Sequence, residues 1–224
     1  MKKLLIIGAS RGIGLEFARQ YAADGASVTA TYRKPHDAAR IGAVGAQPLA
    51  LDVTDAGAIA ALGRQLDGAA LDAVVINAGL YGPRTQGIEA VTQADFDAVM
   101  RTNVLATMQL LPVLAPALTQ ARGKLAVISS AMGLKSRVTQ PSGWLYRASK
   151  AALNMVVKVA SLELGGQGVV CMAFHPGWVR TDMGGADADL DAATSVAGMR
   201  RVIEQANLSH NGKFLNYTGE QFDW

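Results

Sequence analysis

Residues 3–14 read Lys-Leu-Leu-Ile-Ile-Gly-Ala-Ser-Arg-Gly-Ile-Gly, an apolar run followed by a glycine-rich loop. The run has the length of a buried strand, and residues 15–23 contain helix-forming side chains with few breakers. A strand, a glycine turn and a helix bring backbone N–H groups and the positive end of a helix dipole together, which favours binding of a pyrophosphate. We therefore predict a phosphate-binding loop. An ordinary glycine-rich turn is the alternative, because Phe17 stands where the general dinucleotide fingerprint has its third glycine.

The rest of the chain alternates between strand-like and helix-like segments. Apolar runs of strand length recur at 26–32, 46–51, 71–76, 123–128, 169–174 and 213–217. This alternation predicts an α/β fold, a doubly wound parallel sheet with helices on both faces. No linker, repeat or low-complexity block divides the chain, so we expect residues 1–224 to form one domain.

Single residues predict details of the helical segments. Thr54 resembles an N-cap, which predicts a helix from there to Leu66. Pro112 and Pro116 predict a kink or a boundary within the helical region 92–118.

Composition and charge argue against several classes of partner. The 224 residues are 50% hydrophobic and carry a net charge of +3 without a block of Lys or Arg, which argues against nucleic-acid binding. Lys2-Lys3 is followed by only four apolar residues, too few for the core of a signal peptide. The uncharged segment 103–121 contains prolines and amides, so we expect a buried helix there and no membrane span.

Cysteine and histidine usage indicates the compartment and argues against a metal site. Cys171 is the only cysteine, which excludes an intramolecular disulfide and suits a reducing, cytoplasmic environment. A buried apolar role is the simplest interpretation of this residue. His36, His175 and His210 are too dispersed to form a metal cluster, and we predict no metal ion.

Tyr146 and Lys150 stand four residues apart in a segment of helical composition. On a helix they fall on one face, about one turn from each other. A neighbouring cation favours the phenolate form of a tyrosine, so this spacing predicts a Tyr146 with a lowered pKa that serves as a general acid or base. Two solvated neighbours on a helix surface are the alternative interpretation.

Arg33 and Lys34 follow the second predicted strand, where a NAD-selective fold has an acidic residue that binds the ribose hydroxyls. An arginine at this place pairs with a 2′-phosphate, and Arg11 in the glycine loop offers a second contact. The sequence therefore predicts NADP(H) in preference to NAD(H). The alternative is that Arg33 is a solvated surface charge.

Several short motifs occur together in one order along the chain, namely Gly8-x-x-x-Gly12-x-Gly14, Asn77-Ala78-Gly79, Asn103, Ser130, Tyr146-x-x-x-Lys150 and Pro176-Gly177. In this the chain resembles the short-chain dehydrogenase/reductase family, and within it the branch of C-factor and sniffer-type carbonyl reductases. The resemblance implies a Rossmann-like, seven-stranded parallel sheet and a homodimer or homotetramer. It also implies an enzyme that interconverts a carbonyl and an alcohol by hydride transfer from or to NADP(H).

The resemblance assigns roles to individual residues. Tyr146 would exchange the proton with the carbonyl oxygen, Ser130 would hydrogen-bond that oxygen, and Lys150 would hold the nicotinamide ribose and lower the pKa of Tyr146. Asn103 would position a water for proton relay, and Ser129 is the alternative to Ser130. The implied cofactor-binding residues are Gly8, Ser10, Arg11, Gly12, Ile13, Gly14, Arg33, Asp52, Val53, Asn77, Ala78, Gly79, Tyr146, Lys150, Pro176, Gly177, Val179 and Thr181.

Two further hypotheses concern the substrate and the assembly. Tyr146 lies sixteen positions after Ser130, which leaves room for a longer loop, and an apolar wall of Met132, Leu134, Trp144 and Trp178 suggests a hydrophobic or aromatic carbonyl. The predicted helix 144–164 is apolar nearly all round, so we expect a homo-oligomer formed through it and the segment 103–121.

A different class of function remains open at this stage. The likeness to C-factor makes a regulatory or signalling protein that binds the nucleotide with little turnover a reasonable alternative. The complete set of Ser130, Tyr146, Lys150 and Asn103 favours catalysis, because a binding module does not need proton-transfer groups. A nucleic-acid binder would need a basic patch, which the sequence lacks.

Overall fold

The computed structural model describes residues 1–224, and all of its strands pair into one sheet in the order β3-β2-β1-β4-β5-β6-β7-β8. The strands are Lys3–Ile7 (β1), Ser27–Tyr32 (β2), Gln47–Ala50 (β3), Ala73–Ile76 (β4), Lys124–Ile128 (β5), Val170–His175 (β6), Lys213–Asn216 (β7) and Gln221–Phe222 (β8). The α-helices are Gly12–Ala23 (α1), Ala38–Ala43 (α2), Ala56–Gln65 (α3), Gln93–Met100 (α4), Ala106–Ala121 (α5), Trp144–Gly165 (α6) and Ala192–Gln205 (α7).

The helices cover both faces of the sheet, as the alternation along the sequence predicts. Adjacent side chains of a strand point to opposite faces. Leu5 of β1 belongs to a core shared with α3, α5 and α6, whereas Leu4 belongs to a second core shared with α1, α2 and α7. Cys171 is buried in the first core as a free thiol. The prediction of a doubly wound α/β sheet is confirmed.

The sheet contains the seven parallel strands expected and one strand more. β1 to β7 pair in parallel throughout, whereas β8 is two residues long and pairs antiparallel with β7. The turn Tyr217–Glu220 is too short for a parallel crossover, which needs about a dozen residues or more, so the chain returns antiparallel. Phe222 of β8 packs edge-on against Phe214 and covers this end of the core.

Strand β1 lies between β2 and β4. The chain adds β2 and β3 on one side of β1 and then adds β4 and the later strands on its other side. At such a switch point the loops after neighbouring strands separate and leave a crevice at the carboxyl ends of the strands. The loops that follow β1 and β4 therefore frame the site described below.

The predicted N-cap at Thr54 and the predicted helix boundary at Pro112 or Pro116 are wrong, whereas a kink at these prolines stays a prediction. Asp55 caps α3, since its side chain accepts hydrogen bonds from the N–H groups of Gly57 and Ala58, while Thr54 donates to Asp52 instead. Pro112 and Pro116 lie inside a continuous α5. The helical register changes earlier, in a π-helical turn at Arg101–Leu105.

The helical stretch Gln93–Ala121 is long and apolar enough to cross a membrane by length and composition. The core helix of a soluble protein meets the same criterion, so the finding is weakly diagnostic. In this fold Leu110, Leu114 and Leu118 of α5 are fully buried in the core beneath the sheet, as the sequence predicts for this segment.

Candidate active site and nucleotide cleft

A cleft of about 940 Å³ runs along the carboxyl ends of the central strands. One end lies beside Arg33, the other beside Tyr146, and the glycine loop lies between them. Most of the residues predicted to bind the cofactor line it, namely Gly8, Ser10, Arg11, Gly12, Ile13, Arg33, Asp52, Val53, Asn77, Ala78, Gly79, Tyr146, Lys150, Pro176 and Thr181.

The glycine loop is shaped by backbone contacts that leave no room for side chains. Gly8 has φ +85°, and a Cβ there would lie 2.6 Å from the backbone nitrogen of Ala78. A Cβ on Gly14 would lie 2.1 Å from the carbonyl oxygen of Gly8, which also accepts a hydrogen bond from the Asn77 amide at 2.7 Å. No side chain caps the start of α1, so its first N–H groups are free to meet an anion.

The end of the cleft beside Arg33 is rich in charged side chains. Arg33, Lys34 and Arg40 line it and are exposed. Partial burial raises the pKa of Asp52, but hydrogen bonds from Thr54 and the charge of Arg33 outweigh this and lower it overall. Asp52 is therefore ionised at neutral pH, and the positive charge of Arg33 stabilises its carboxylate.

Asp37 is a carboxylate at the same end of the cleft that the sequence analysis did not consider. It is buried and lies 3.6 Å from the guanidinium of Arg40 and 3.5 Å from the imidazole of His36. Its charge is thus partly balanced by the guanidinium of Arg40, and the exposed charge of this end of the cleft is positive.

Tyr146 and Lys150 are both buried at the opposite end, on one face of α6 as their spacing predicts. The ammonium of Lys150 lies 5.6 Å from the centroid of the Tyr146 ring and donates a hydrogen bond of 3.0 Å to the carbonyl oxygen of Ile128. The interpretation of two solvated neighbours is therefore wrong. Helix α6 and the end of β5 together place a phenol and an amine in one small volume.

Ser130 and Ser129, the two candidates for the hydrogen bond to substrate, have different surroundings. Ser129 is buried and donates its hydroxyl to the side-chain oxygen of Asn154. Ser130 accepts a hydrogen bond from the N–H of Met132 and is a hydrogen-bond neighbour of the Tyr146 hydroxyl. Only Ser130 combines proximity to Tyr146 with a hydroxyl hydrogen that is not already committed.

Asn103 lies in the π-helical turn and does not line the cleft, and its side chain binds Leu80 and Ser149. Its oxygen accepts from the N–H of Leu80 at 2.7 Å, and its nitrogen donates to the carbonyl of Leu80 at 2.8 Å and to the hydroxyl of Ser149 at 2.9 Å. Both amide hydrogens are therefore used to join the segment after β4 to helix α6.

Comparison with known proteins identifies the chain. The family model for short chain dehydrogenases matches residues 2–191. The chain belongs to this family. It is thus an oxidoreductase of the short-chain dehydrogenase family, as the order of its motifs predicts.

Comparison with individual members shows which part of the family this chain is similar to. The chain is 39% identical to the C-signal protein of Myxococcus xanthus over 155 residues, covering 69% of this chain and 93% of that protein. The NADPH-bound carbonyl reductase from chicken fatty liver is 31% identical, with a TM-score of 0.91 over 100% of this chain and 99% of the other. Carbonyl reductase Sniffer of D. melanogaster is 28% identical, with a TM-score of 0.93 over 100% of both chains. The predicted resemblance to C-factor and sniffer-type reductases is confirmed.

Burial controls the ionisation of the buried pair. It raises the pKa of Tyr146 to about 12, while the hydrogen bond with Ser130 acts in the opposite direction. Burial also lowers the pKa of Lys150 to about 8. The prediction of a lowered pKa for Tyr146 is wrong for this structure, because burial has the largest effect and raises that pKa, while Lys150 donates to the carbonyl of Ile128.

Replacing Lys150 with methionine tests this effect of burial on stability. The pKa of Lys150 falls from 10.5 to about 8 on folding, so between these pH values the unfolded chain binds more protons than the folded protein. The stability of the wild type therefore rises with pH across that range, relative to a variant without the amine. We expect Lys150→Met to be the more stable protein below pH 8, by roughly 3 kcal/mol at most, because loss of the hydrogen bond to Ile128 offsets part of the gain.

Urea unfolding at a series of pH values measures this difference. Lys158→Met is the matched control, since Lys158 lies on the same helix and is only partly buried. We expect the stability gap between wild type and Lys150→Met to narrow as the pH rises. A gap that stays constant with pH would show that Lys150 does not lose its proton more readily in the folded protein.

Some of the predicted site residues do not line the cleft, although Ser130 lies next to the hydroxyl of Tyr146, which does line it. Gly14, Gly177, Val179, Asn103 and Ser130 are not part of the lining surface. Val179 is buried and pairs with Leu190 through its backbone, so it shapes the loop after β6 without facing the cleft. Leu134, predicted as part of an apolar substrate wall, is buried in the core beneath the sheet, and this prediction is wrong.

Sequence reasoning missed other residues around the cleft. Tyr81 stacks on Tyr146, and Arg84 reaches across to the carbonyl of Met183 at 2.7 Å. Asp182 pairs with Arg11 at 2.9 Å, between exposed side chains. The position of Tyr81, two residues after Asn77-Ala78-Gly79 at a strand end, was the available signal, because loops at the carboxyl ends of parallel strands line the crevice.

Proposed function

We propose that this protein is an NADP(H)-dependent reductase that interconverts a carbonyl and an alcohol, with residues 1–224 acting as one nucleotide-binding domain. The observation that carries the proposal is the burial of Tyr146 beside Lys150 at one end of the cleft that the glycine loop borders. A protein that only binds a nucleotide has no need to bury these two groups together.

The cleft fits a dinucleotide. The cradle at Gly8 and Gly14, which a Cβ would fill, permits close approach of a pyrophosphate to backbone N–H groups at the start of α1. Asp52 and Val53 would hold the adenine side, and Asn77, Ala78 and Gly79 the middle. Lys150 would hold the ribose next to the reacting ring, and Thr181 and Pro176 would hold the ring itself.

A bound nicotinamide supplies or takes the hydride. The proton is handled by the chain's own residues, with Tyr146 donating it to the carbonyl oxygen in reduction and accepting it in oxidation. Ser130 hydrogen-bonds the same oxygen and stabilises the negative charge that develops there. The raised pKa of Tyr146 keeps the phenol protonated at neutral pH, the state that reduction requires.

Asn103 contributes in a less direct way than the resemblance implied. Its side chain fixes Leu80 and Ser149, so we propose that it holds the segment after β4 in place beside the catalytic pair. A role in positioning a water for proton relay remains a prediction, and it would fall to the backbone carbonyl of Asn103, because both side-chain hydrogens are used.

The charges at the Arg33 end support a preference for NADP(H). Arg33, Lys34 and Arg40 are exposed there, and a 2′-phosphate would meet them directly. Asp37, the carboxylate that would repel such a phosphate, is buried and paired with Arg40. The chicken carbonyl reductase similar to this chain was solved with NADPH.

The substrate that fits is a hydrophobic or aromatic carbonyl compound. Met132 is half-buried, and Trp144 and Trp178 are 40% and 52% exposed, so these three residues offer apolar surface. Leu134 is not part of this surface, because it is buried in the core.

Turnover of NADPH against a panel of ketones, aldehydes and quinones tests the proposal. We expect consumption of NADPH with apolar and aromatic carbonyls, and little with polar sugars. Equal turnover of sugars and aryl ketones would contradict the proposed substrate class. Tight binding of NADPH without turnover of any carbonyl would contradict the enzymatic function.

A nucleotide-binding signalling protein is the second candidate, because a relative with 39% identity is named C-signal. Such a protein would retain the nucleotide site and have no requirement for the hydroxyl of Tyr146. The variant Tyr146→Phe, which removes only this hydroxyl, therefore separates the two candidates.

We also propose that the protein is a homodimer or homotetramer that works in the cytoplasm. Met155, Val159 and Leu162 of α6 and Met108 of α5 are 64%, 56%, 73% and 54% exposed, so both helices present apolar side chains that the fold leaves uncovered. A second copy of the chain would cover them. The buried free thiol of Cys171 fits a reducing compartment.

Replacing Leu162 with glutamate should dissociate the oligomer, because a carboxylate buried at the interface would have no partner. Sedimentation at micromolar concentration measures the mass of wild type and variant. Ile88→Glu is the matched control, since Ile88 is 84% exposed in a different part of the chain. A wild type that sediments as a monomer would contradict the proposal.

A further inference from the structure

We propose that Tyr81 is a positioning residue for Tyr146, whose ring it holds in one orientation and shields from water. The inference rests on the proposed function, in which the Tyr146 hydroxyl exchanges the proton. The two rings are stacked with centroids 4.6 Å apart and an angle of 20° between their planes. Offset stacking at this distance is a favourable arrangement for aromatic rings and restricts the rotation of each.

The segment that carries Tyr81 is fixed at both of its ends. On one side Leu80 is held by the two hydrogen bonds to the Asn103 side chain. On the other, the carbonyl of Thr85 accepts a hydrogen bond of 3.0 Å from the N–H of Gly143, the residue that precedes α6. Since α6 carries Tyr146, both rings are attached to one framework.

Gly143 lies against the ring of Tyr81 where a side chain would displace it, and Gly82 fixes the backbone next to Tyr81. Gly143 has φ +66°, and a Cβ there would lie 2.5 Å from the hydroxyl oxygen of Tyr81. Gly82 has φ +80°, and a Cβ there would lie 2.5 Å from the side chain of Val99. The backbone at Gly143 therefore leaves room for the Tyr81 ring, and the backbone at Gly82 is held close to Val99 of α4.

Arg84 supports the stack from the same segment. Its guanidinium carbon lies 5.0 Å from the centroid of the Tyr81 ring, a favourable cation–π distance. The same guanidinium donates to the carbonyl of Met183 in the loop after β6. The Tyr81 segment is thus tied both to the residue that precedes α6 and to the loop after β6.

Few groups face Tyr146, so the effect of Tyr81 on the pKa of Tyr146 can be measured. Lys150 approaches from the same helix, Ser130 from the turn after β5, and Tyr81 from the segment after β4. Burial has the largest effect in raising the pKa of Tyr146, and the stacked ring of Tyr81 is part of what covers the phenol. Loss of the Tyr81 ring would admit water to the phenol and move its pKa back towards that of a free tyrosine.

The test compares Tyr81→Phe, which keeps the aromatic face, with Tyr81→Leu, which removes it. Phe96→Leu is the matched control, because Phe96 is a half-exposed aromatic residue on α4 outside the cleft lining. For each protein kcat, KM and their pH profiles are measured with NADPH and a carbonyl that the wild type reduces. The dissociation constant of NADPH is measured separately by fluorescence.

We expect Tyr81→Leu to lower kcat by about 10-fold, since small errors in the placement of a reacting group reduce rates by this order or more. The alkaline limb of its kcat profile for carbonyl reduction should move to lower pH, because Tyr146 then loses its proton more easily. Tyr81→Phe and Phe96→Leu should resemble the wild type, and all three variants should bind NADPH as the wild type does.

Two results would overturn the inference while leaving the proposed function intact. One is a Tyr81→Leu variant with the kcat and pH profile of the wild type, alongside an inactive Tyr146→Phe variant. The other is a Tyr81→Phe variant as impaired as Tyr81→Leu, which would mean that ring stacking is not what matters. If Tyr81→Leu does not fold, Tyr81→Gln decides the same comparison, because it keeps a long side chain without an aromatic face. A wild type that reduces no carbonyl would overturn both proposals.

Discussion

Replacing Tyr146 with phenylalanine will lower kcat for NADPH-dependent carbonyl reduction by about 10²- to 10⁴-fold, the usual contribution of a positioned general acid. The substitution removes one oxygen and keeps the ring, so the stack with Tyr81 and the packing of α6 are preserved. NADPH should bind to the variant about as tightly as to the wild type, since Lys150 and the glycine loop are untouched.

Tyr21→Phe is the matched control for this experiment. Tyr21 lies on α1, is buried and does not line the cleft, so removal of its hydroxyl should leave turnover unchanged. A Tyr146→Phe variant with the kcat of the wild type would exclude Tyr146 as the proton donor and favour the signalling alternative. Loss of turnover with retained NADPH binding would favour the enzyme.

Replacing Arg33 with alanine will lower kcat/KM for NADPH by roughly 10- to 100-fold, because a hydrogen bond to a charged group contributes about 1.5–3 kcal/mol. Activity with NADH should stay the same, since NADH has no 2′-phosphate for the guanidinium to bind. The ratio of the two kcat/KM values in wild type and variant measures the preference directly.

Arg64→Ala is the control for the loss of a positive charge, because Arg64 is exposed on α3 and does not line the cleft. If the wild type uses NADH as well as NADPH and Arg33→Ala changes neither, the proposed preference is wrong. If Arg33 and Arg40 both bind the 2′-phosphate, each single alanine variant should lose part of the kcat/KM for NADPH, and the double variant should lose more.

Much of the fold was predictable because it depends on local patterns. The alternation of apolar runs with helical segments predicted the parallel sheet, and the two faces of each strand predicted cores on both sides. A prediction was wrong where two adjacent residues could both cap the same helix. Asp55 rather than Thr54 caps α3, since the hydroxyl of Thr54 is already bonded to Asp52.

The candidate site likewise has some features that the sequence predicted and others that it did not. The spacing of Tyr146 and Lys150 predicted that they share a helix face, and the structure buries both. The sign of the pKa shift of Tyr146 was beyond reach, because it depends on how much water the surrounding segments exclude and on where the Lys150 ammonium points. Tyr81 was missed because its stack on Tyr146 joins positions 65 apart in the chain.

The sequence by itself determined which segments form strands, where the glycine loop lies, and that a phenol and an amine share one face of a helix. Each of these follows from the spacing of residues that are close together in the chain. Tertiary structure decided which of these groups are buried, what Asn103 and Leu134 do, and that Tyr81 meets Tyr146. The physical reason is that desolvation and stacking act between segments distant along the chain, so they exist only once the loops after β4, β5 and β6 have been brought to one edge of the sheet.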